Sequence, residues 1–348
     1  MLLLLLLLPH LSQAGPFTGH RLLRTLPSTP GQVVALQSLR HHLHLDFWSE
    51  GGPGRPLDLR VAPDQEEAVV SFLLAQNISS SVLHLDVQEL VERDWMVAPN
   101  SSYSPLTGHA MDWTSYHSVE DMHGYMEHLA AAYPWVTIES IGQSYEGRDM
   151  KVLRVCRSGQ CGGKPAVWID GGIHAREWVS PAVATFLMSE LVEREADHPD
   201  LTKLDWYILP VANPDGYAYS AKDYTTRMWR KTRSMDPDGL GLCLGCDANR
   251  NWGFHFGDGG SSDDPCLDIF MGAEAFSEVE NRNMRDFLLA HGPDVKVYTN
   301  LHSFSQLVLL PWGYTEDKPD SYSTLEAMAN IGNAALQATH GQTYEVGS

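Results

Sequence analysis

His174-Ala175-Arg176-Glu177 sets an imidazole and a carboxylate three residues apart, and a third candidate donor, His302, stands far downstream in Leu301-His302-Ser303. Two nitrogen donors and one carboxylate form the ligand set of a catalytic zinc that keeps its fourth position open for water. The spacing alone is weak evidence. The chain has 16 histidines and a second such pair, His117 and Glu120, in what reads as an ordinary amphipathic helix. The surroundings of the first pair say more. Ala166-Val167-Trp168-Ile169-Asp170 reads as an apolar strand running into Gly171-Gly172-Ile173, and the next helix is expected only at Ser180-Pro181. His174 and Glu177 then fall on a strand-to-helix loop at the carboxyl end of a strand, where open α/β sheets place their ligands. The two glycines allow the sharp turn. Taken alone, His302 reads as a satisfied buried histidine, but it too follows a strand, Val297–Leu301, so both clusters can meet at one sheet edge.

The elements that must position these groups alternate from about Trp113 onward. Ser118 precedes a helix with the apolar face Val119, Met122, Tyr125, Met126 and Leu129. Strands are expected at Val136–Ile141, Val152–Val155, Ala166–Ile169, Trp206–Val211 and Val297–Leu301. Further helices are expected at Ser180-Pro181, a cap followed by proline, and at Ser277 with Glu280, a capping box. This alternation predicts a sheet covered by helices on both faces. Residues 17–92 read as a separate small α+β unit. Its strands are His20–Leu26, Leu57–Val61 and the stretch around Val82–Leu85, and its helices run over Val33–Leu43 and from Asp64, as cap, to about Leu74. Residues 94–112, with Pro99, Asn100, Ser101, Ser102, Pro105 and Gly108, have linker composition.

With 43% hydrophobic residues, 10 Trp and 13 Tyr in 348 residues, the chain can bury a substantial core. A formal charge of −20 argues against nucleic acid and against anionic membranes as partners, since phosphate binding needs a basic face. The leucine run Leu2–Leu8 is too short to span a bilayer, and with Ser12-Gln13-Ala14 it reads as a signal peptide cleaved after Ala14. No later segment is apolar for long enough to anchor in a membrane. A secreted, extracellular chain suits its five cysteines, all in the second half. Cys156 and Cys161 flank a short turn and could close a local loop. Asn77-Ile78-Ser79 and Asn100-Ser101-Ser102 are glycosylation acceptors.

Five motifs then fall in a recognisable order: His174-Ala175-Arg176-Glu177-Trp178, Asn213-Pro214-Asp215-Gly216-Tyr217, Arg227-Met228-Trp229-Arg230-Lys231-Thr232-Arg233, Asp247-Ala248-Asn249-Arg250-Asn251-Trp252 and Leu301-His302-Ser303. Together they resemble the secreted zinc carboxypeptidases of the pancreatic A/B type. Residues 17–92, including His44-Leu45-Asp46-Phe47-Trp48, resemble that family's inhibitory pro-segment. The resemblance implies an α/β fold with a mixed β-sheet flanked by helices, preceded by a small α+β ferredoxin-like pro-segment. The organisation it implies is a signal peptide (residues 1–14), the pro-segment (15–93), a linker (94–112) and a zinc carboxypeptidase domain (113–348) that is expected to be incomplete at its carboxy end. It implies one Zn²⁺ per chain on His174, Glu177 and His302, with Asp247 orienting His174. Asn249 and Arg250 would take the terminal carboxylate of a peptide or protein substrate, a task suited to a planar guanidinium. Arg230 would stabilise the developing oxyanion, Arg176 and Arg227 would line the cleft, and Ser303 would contact substrate. Cys243 and Cys266 match the family's disulfide, which leaves Cys246 over.

The implied activity is removal of one carboxy-terminal residue from peptides by zinc-activated water, in a zymogen that an activating protease releases. Two departures bear on that expectation. The family's catalytic glutamate, its mobile tyrosine and the residue at the base of its specificity pocket lie farther downstream than Ser348. Glu316, Glu326 and Glu345 stand outside the matching motif, and none is assigned as base. The alternative reading is therefore a catalytically silent chain that keeps the zinc and the carboxylate clamp. In addition, no Lys or Arg occurs from Asp94 to Gly147, so the linker offers no tryptic site and Arg93 is the nearest basic residue before it.

Overall fold

Leu57, Leu59 and Val61 are buried while Asp58 and Arg60 alternate with them, the period of a strand with one face on a core. In the computed structural model this strand, β3 (Leu57–Val61), lies inside a four-stranded antiparallel sheet. Its other strands are β1 (Arg21–Leu26), β2 (Asp46–Phe47) and β4 (Ser79–His84), in the order β2-β3-β1-β4. Helices α1 (Pro30–Leu43) and α2 (Glu66–Ala75) contribute Leu36, Leu39, Val69 and Leu73 to the same core. The structure describes residues 15–43, 45–49, 52–95, 109, 111–159, 161–303 and 305–348. The expected signal peptide, most of the 94–112 stretch, the Asn100 acceptor and His44 lie outside them. Asn77 is exposed in the turn between α2 and β4.

Two helix starts differ from expectation in this first compact unit, which ends at Asp94. Helix α1 begins at Pro30 rather than Val33, with the Thr29 hydroxyl accepting the Gln32 amide at 3.2 Å; proline suits a first turn, where its missing N–H has no partner to lose. Asp64 does not cap α2. The Gln65 amide donates to the Ala62 carbonyl and the Gln65 side chain accepts from the Ala62 amide, so a turn leads directly into the helix and leaves Asp64 outside it. A helix not expected from the sequence, α3 (Val87–Trp95), follows Asp86, whose carboxylate accepts the Gln88 amide at 2.9 Å.

The second unit, from Trp95 onward, is built on a five-stranded mixed sheet. After α4 (Val119–Ala132) come β5 (Val136–Gln143), β6 (Asp149–Val155), β7 (Ala166–Asp170), α5 (Val179–Val192), β8 (Asp205–Leu209), α6 (Pro214–Ser220), α7 (Val279–His291) and β9 (Val295–Asn300). The order is β5-β6-β8-β7-β9, with β7 parallel to both its neighbours and the β5–β6 and β6–β8 pairs antiparallel. The chain continues through β10 (Leu307–Leu309), α8 (Tyr322–His340) and β11 (Glu345–Gly347), and β10 and β11 pair in parallel. Alternation along the strands sorts two cores. Val167, Ile169 and Ile208 pack with Met122, Met126 and Leu129 of α4 and Ala184 and Met188 of α5. Trp168, Tyr207 and Leu209 pack on the other face with Met284 and Phe287 of α7. The expected apolar face of α4 is buried throughout, and Ser118 and Asp121 form a reciprocal capping box at its start.

Two other expected caps are not formed. Helix α5 starts one residue before Ser180, which lies within the first turn and has its hydroxyl engaged by the Gly172 amide at 3.0 Å. At α7 the box Ser277–Glu280 is replaced by tertiary contacts. Ser277 and the Glu278 amide bond the Asn251 side chain, while Glu280 accepts the Tyr145 amide at 2.9 Å. A distant amide that reaches a would-be capping group competes directly with the local cap. Cys156–Cys161 and Cys243–Cys266 are disulfides, and Cys246 is a buried free thiol.

Candidate metal centre

The parallel pairing of β7 with β8 and β9 puts three strand ends at one edge; the loops after β7 and β9 carry His174, Arg176, Glu177, His302 and Ser303, and the long segment between α6 and α7 carries Arg227, Arg230, Asp247, Asn249 and Arg250. Asp170 and Asn300 are opposite each other at the last register position of β7 and β9, and the Leu301 amide donates to the Asp170 carbonyl at 2.7 Å. The buried Asp170 carboxylate accepts from the Trp168 indole at 2.7 Å and from the Asn300 amide, which ties the two strand ends together. Burial pushes its carboxyl up to about 6 despite those donors. Beyond this tie, Gly171 and Gly172 turn the chain. A side chain at Gly171 would meet the Ser180 carbonyl at 2.8 Å, and Gly172 has φ +64°.

The turn delivers His174 and Glu177 against His302. His174 Nδ1 lies 2.8 Å from Glu177 Oε1, His302 Nδ1 2.9 Å from Glu177 Oε2, and the two Nδ1 atoms are 3.1 Å apart. One carboxylate and two imidazole nitrogens thus converge, all within 4.8 Å of one another. His174 and Glu177 are buried and His302 is partly open, which leaves the cluster reachable from one side. Two ring nitrogens and a carboxylate facing one point are the donor set that a cation in the zinc class takes. Burial alone would raise the Glu177 carboxyl, but the adjoining His174 and His302 outweigh it and hold the group far below the usual carboxylate range. The Ser303 amide adds a donor to Glu177 Oε2 at 3.1 Å.

Asp247 stands behind His174. Its Oδ1 accepts from His174 Nε2 at 3.0 Å and from the Asn249 amide at 2.9 Å, and Oδ2 accepts from Arg230 at 2.7 Å. The carboxylate is fully buried, and burial would raise its pKa; Arg230 first, then His174 and Arg250, reverse this and keep it well down. Asp247 also caps the short 3₁₀ turn Ala248–Arg250, so the residue that orients His174 also sets where Asn249 and Arg250 begin. Arg250 donates to the Gly260 carbonyl at 2.8 Å and Arg230 to the Asp268 carbonyl at 3.2 Å, while Arg230 Nη1 lies 3.8 Å from Glu177. Arg176 reaches Asp268 at 3.3 Å. Arg227 donates to the Arg176 carbonyl at 2.7 Å with its guanidinium 3.5 Å above the Trp178 ring.

Two positioning residues escaped the sequence reading. Asn213, in the turn between β8 and α6, caps α6 through the Gly216 amide at 2.9 Å and donates to the carbonyls of Ile173 and Lys231, linking the loops that carry His174 and Arg230. Asparagine ahead of proline is a helix-start pattern, but no local pattern marks the two loop contacts. Asp268, which engages both Arg176 and Arg230, carried no local signal.

Comparisons with known proteins bear on this arrangement. The profile of the family described as zinc carboxypeptidase matches residues 122–348, and that of the carboxypeptidase activation peptide matches residues 23–94. Carboxypeptidase B of Astacus astacus is 48% identical over 240 residues, covering 68% of this chain and 78% of that protein. Carboxypeptidase A2 of Rattus norvegicus is 39% identical over 356 residues, 99% of this chain and 83% of that one. Among solved structures, the carboxypeptidase A from Helicoverpa armigera superposes with a TM-score of 0.88 at 30% identity, covering 96% of this chain and 82% of its own.

Proposed function

The chain belongs to the zinc carboxypeptidase family and carries that family's activation peptide, so it is a zinc metallocarboxypeptidase in zymogen form; on that premise we propose that His174, Glu177 and His302 hold its zinc. The observation that carries the assignment is the convergence of those three donor groups with Asp247 fixed behind His174. Accepting at Nε2, Asp247 holds the His174 proton there and leaves Nδ1 as the donor toward the centre. Bound there, zinc supplies Lewis-acid activation of water and of the scissile carbonyl. Arg230, held on Asp247 and 3.8 Å from Glu177, supplies fixed positive charge where an oxyanion develops. Asn249 and Arg250 receive the free carboxylate of the peptide, Arg176 and Arg227 line the approach, and Ser303 contacts substrate beside the centre.

In this reading residues 1–14 are a signal peptide, residues 15–93 the inhibitory pro-segment, residues 94–112 the linker and residues 113–348 the catalytic domain. Secretion is supported by the two disulfides. Among the described residues no helix is long and apolar enough to cross a membrane. A protease that cuts between Asp94 and Gly147 meets no Lys or Arg, so release by a trypsin-like enzyme requires Arg93 or an earlier basic residue.

Elemental analysis tests the ligand set: His302→Ala loses most of its tightly bound zinc, and full retention rejects the assignment. Calorimetry tests the clamp. A peptide with a free terminal carboxylate binds more tightly than its amide, and Arg250→Lys removes most of that difference because an ammonium cannot grip a carboxylate with two parallel hydrogen bonds. Equal affinity for both peptides in the wild type refutes the role of Arg250.

A further inference from the structure

A second group of metal-ligating side chains lies in the same unit on different segments: His109 ahead of α4, His128 on α4, and Glu193 at the end of α5, with donor atoms within 4.8 Å of one another. We propose that His109, His128 and Glu193 form a second divalent-metal site of the zinc class, separate from the centre at His174. The donor set again comprises two imidazoles and one carboxylate, which suits Zn²⁺ and leaves room for water. The carboxylate is oriented from behind. The Tyr125 hydroxyl donates to Glu193 Oε2 at 2.7 Å, the kind of supporting bond that fixes a ligating carboxylate. Tyr125 is fully buried and lies three residues before His128 on α4, so the residue that aims Glu193 shares a helix face with one of the imidazoles. The His109 ring packs 4.8 Å from Tyr125 and 5.0 Å from His128, edge to face with the latter.

This site is weaker than the central one for two structural reasons. Glu193 is exposed and both histidines are only partly buried. In addition, His109 Nδ1 accepts the Met111 amide at 3.1 Å. A metal on Nδ1 displaces that donor, and a metal on Nε2 requires a proton on Nδ1, so either route gives up the bond. When occupied, the ion cross-links the chain ahead of α4, α4 itself and the end of α5. Its occupancy therefore adds to the stability of the catalytic unit by mass action.

The test is calorimetric titration of Zn²⁺ alone into the full chain already carrying its central zinc, with thermal unfolding as a second readout. The expected result is one further binding event and a raised Tm. His128→Ala and Glu193→Gln should each weaken that event by about tenfold or more while keeping the central zinc. His302→Ala should do the reverse, losing the tight zinc and keeping the second event. The proposal is overturned if the wild type takes up no further Zn²⁺. It is also overturned if the event persists unchanged in both His128→Ala and Glu193→Gln, which would assign it to other surface histidines, or if His302→Ala abolishes it.

Discussion

Asp247 joins three tasks in one buried carboxylate: it holds the His174 proton, anchors Arg230 and caps the turn that presents Asn249 and Arg250. Oδ1 serves His174 and the Asn249 amide, Oδ2 serves Arg230, and the surrounding cations keep the group ionised in a place where burial would otherwise neutralise it. Asp247→Ala should therefore weaken zinc by roughly 10- to 100-fold, the usual cost of losing the partner of a ligating histidine. Competition with a chromophoric chelator measures it, and unchanged affinity would remove Asp247 from the ligand's support. Arg230, whose side chain is only 10% exposed, would lose its carboxylate partner, so lost stability should accompany the lost affinity.

At the scale of elements, the decisive feature is that β7 and β9 are neighbours and parallel. His174 and His302, 128 positions apart in sequence, then leave the sheet at the same edge. The loop after β7 must turn within two glycines, and at Gly171 there is no room for a side chain: a Cβ would sit 2.8 Å from the Ser180 carbonyl and 3.1 Å from that of Pro210. Gly171→Ala should cost about 1–3 kcal/mol and loosen zinc, because the atoms in its way are backbone at the start of α5 and the end of β8. Gly124 makes the contrast. It lies inside α4, and a Cβ there would meet no other element within 4 Å among the described residues, so Gly124→Ala should stabilise by about 0.5–1 kcal/mol and leave zinc untouched. Chemical denaturation of the pair decides the point, and equal effects at the two positions would contradict it.

For the molecule as a whole, pH acts through a buried acid that is not one of the groups of the metal centre. Glu280 is 1% exposed, its Oε2 has no hydrogen-bond partner among the described residues, and burial pushes its carboxyl up to about 7. The folded state thus binds a proton that the unfolded chain has already lost between about pH 4.5 and about pH 7. Stability falls as pH rises through that window, and the loss from this group is complete above it, amounting to ~3 kcal/mol. Glu280→Gln removes the dependence. The difference in stability between wild type and variant should therefore shift in favour of the glutamine form as pH rises from 4.5 to 8. A difference that stays constant across that range would show that Glu280 ionises normally in the fold.

Local patterns in the sequence determined the five strands of the larger sheet, the buried face of α4, its Ser118 cap and the loop that bears His174 and Glu177, since those depend on the period of apolar residues and on glycine, whereas the short strands β2, β10 and β11 carried no such pattern. The ordered motifs pointed to the family, and with it to zinc. Several helix starts were not legible, because Ser180, Ser277 and Glu280 bond distant partners in preference to their own helix ends. The two-loop grip of Asn213 and the bridging of two arginines by Asp268 were equally hidden, as was the approach of His109, His128 and Glu193. All of these join groups far apart in the chain, and a contact of that kind has no period in the sequence. It exists only once sheet order and helix packing have brought the groups within hydrogen-bonding or metal-binding reach.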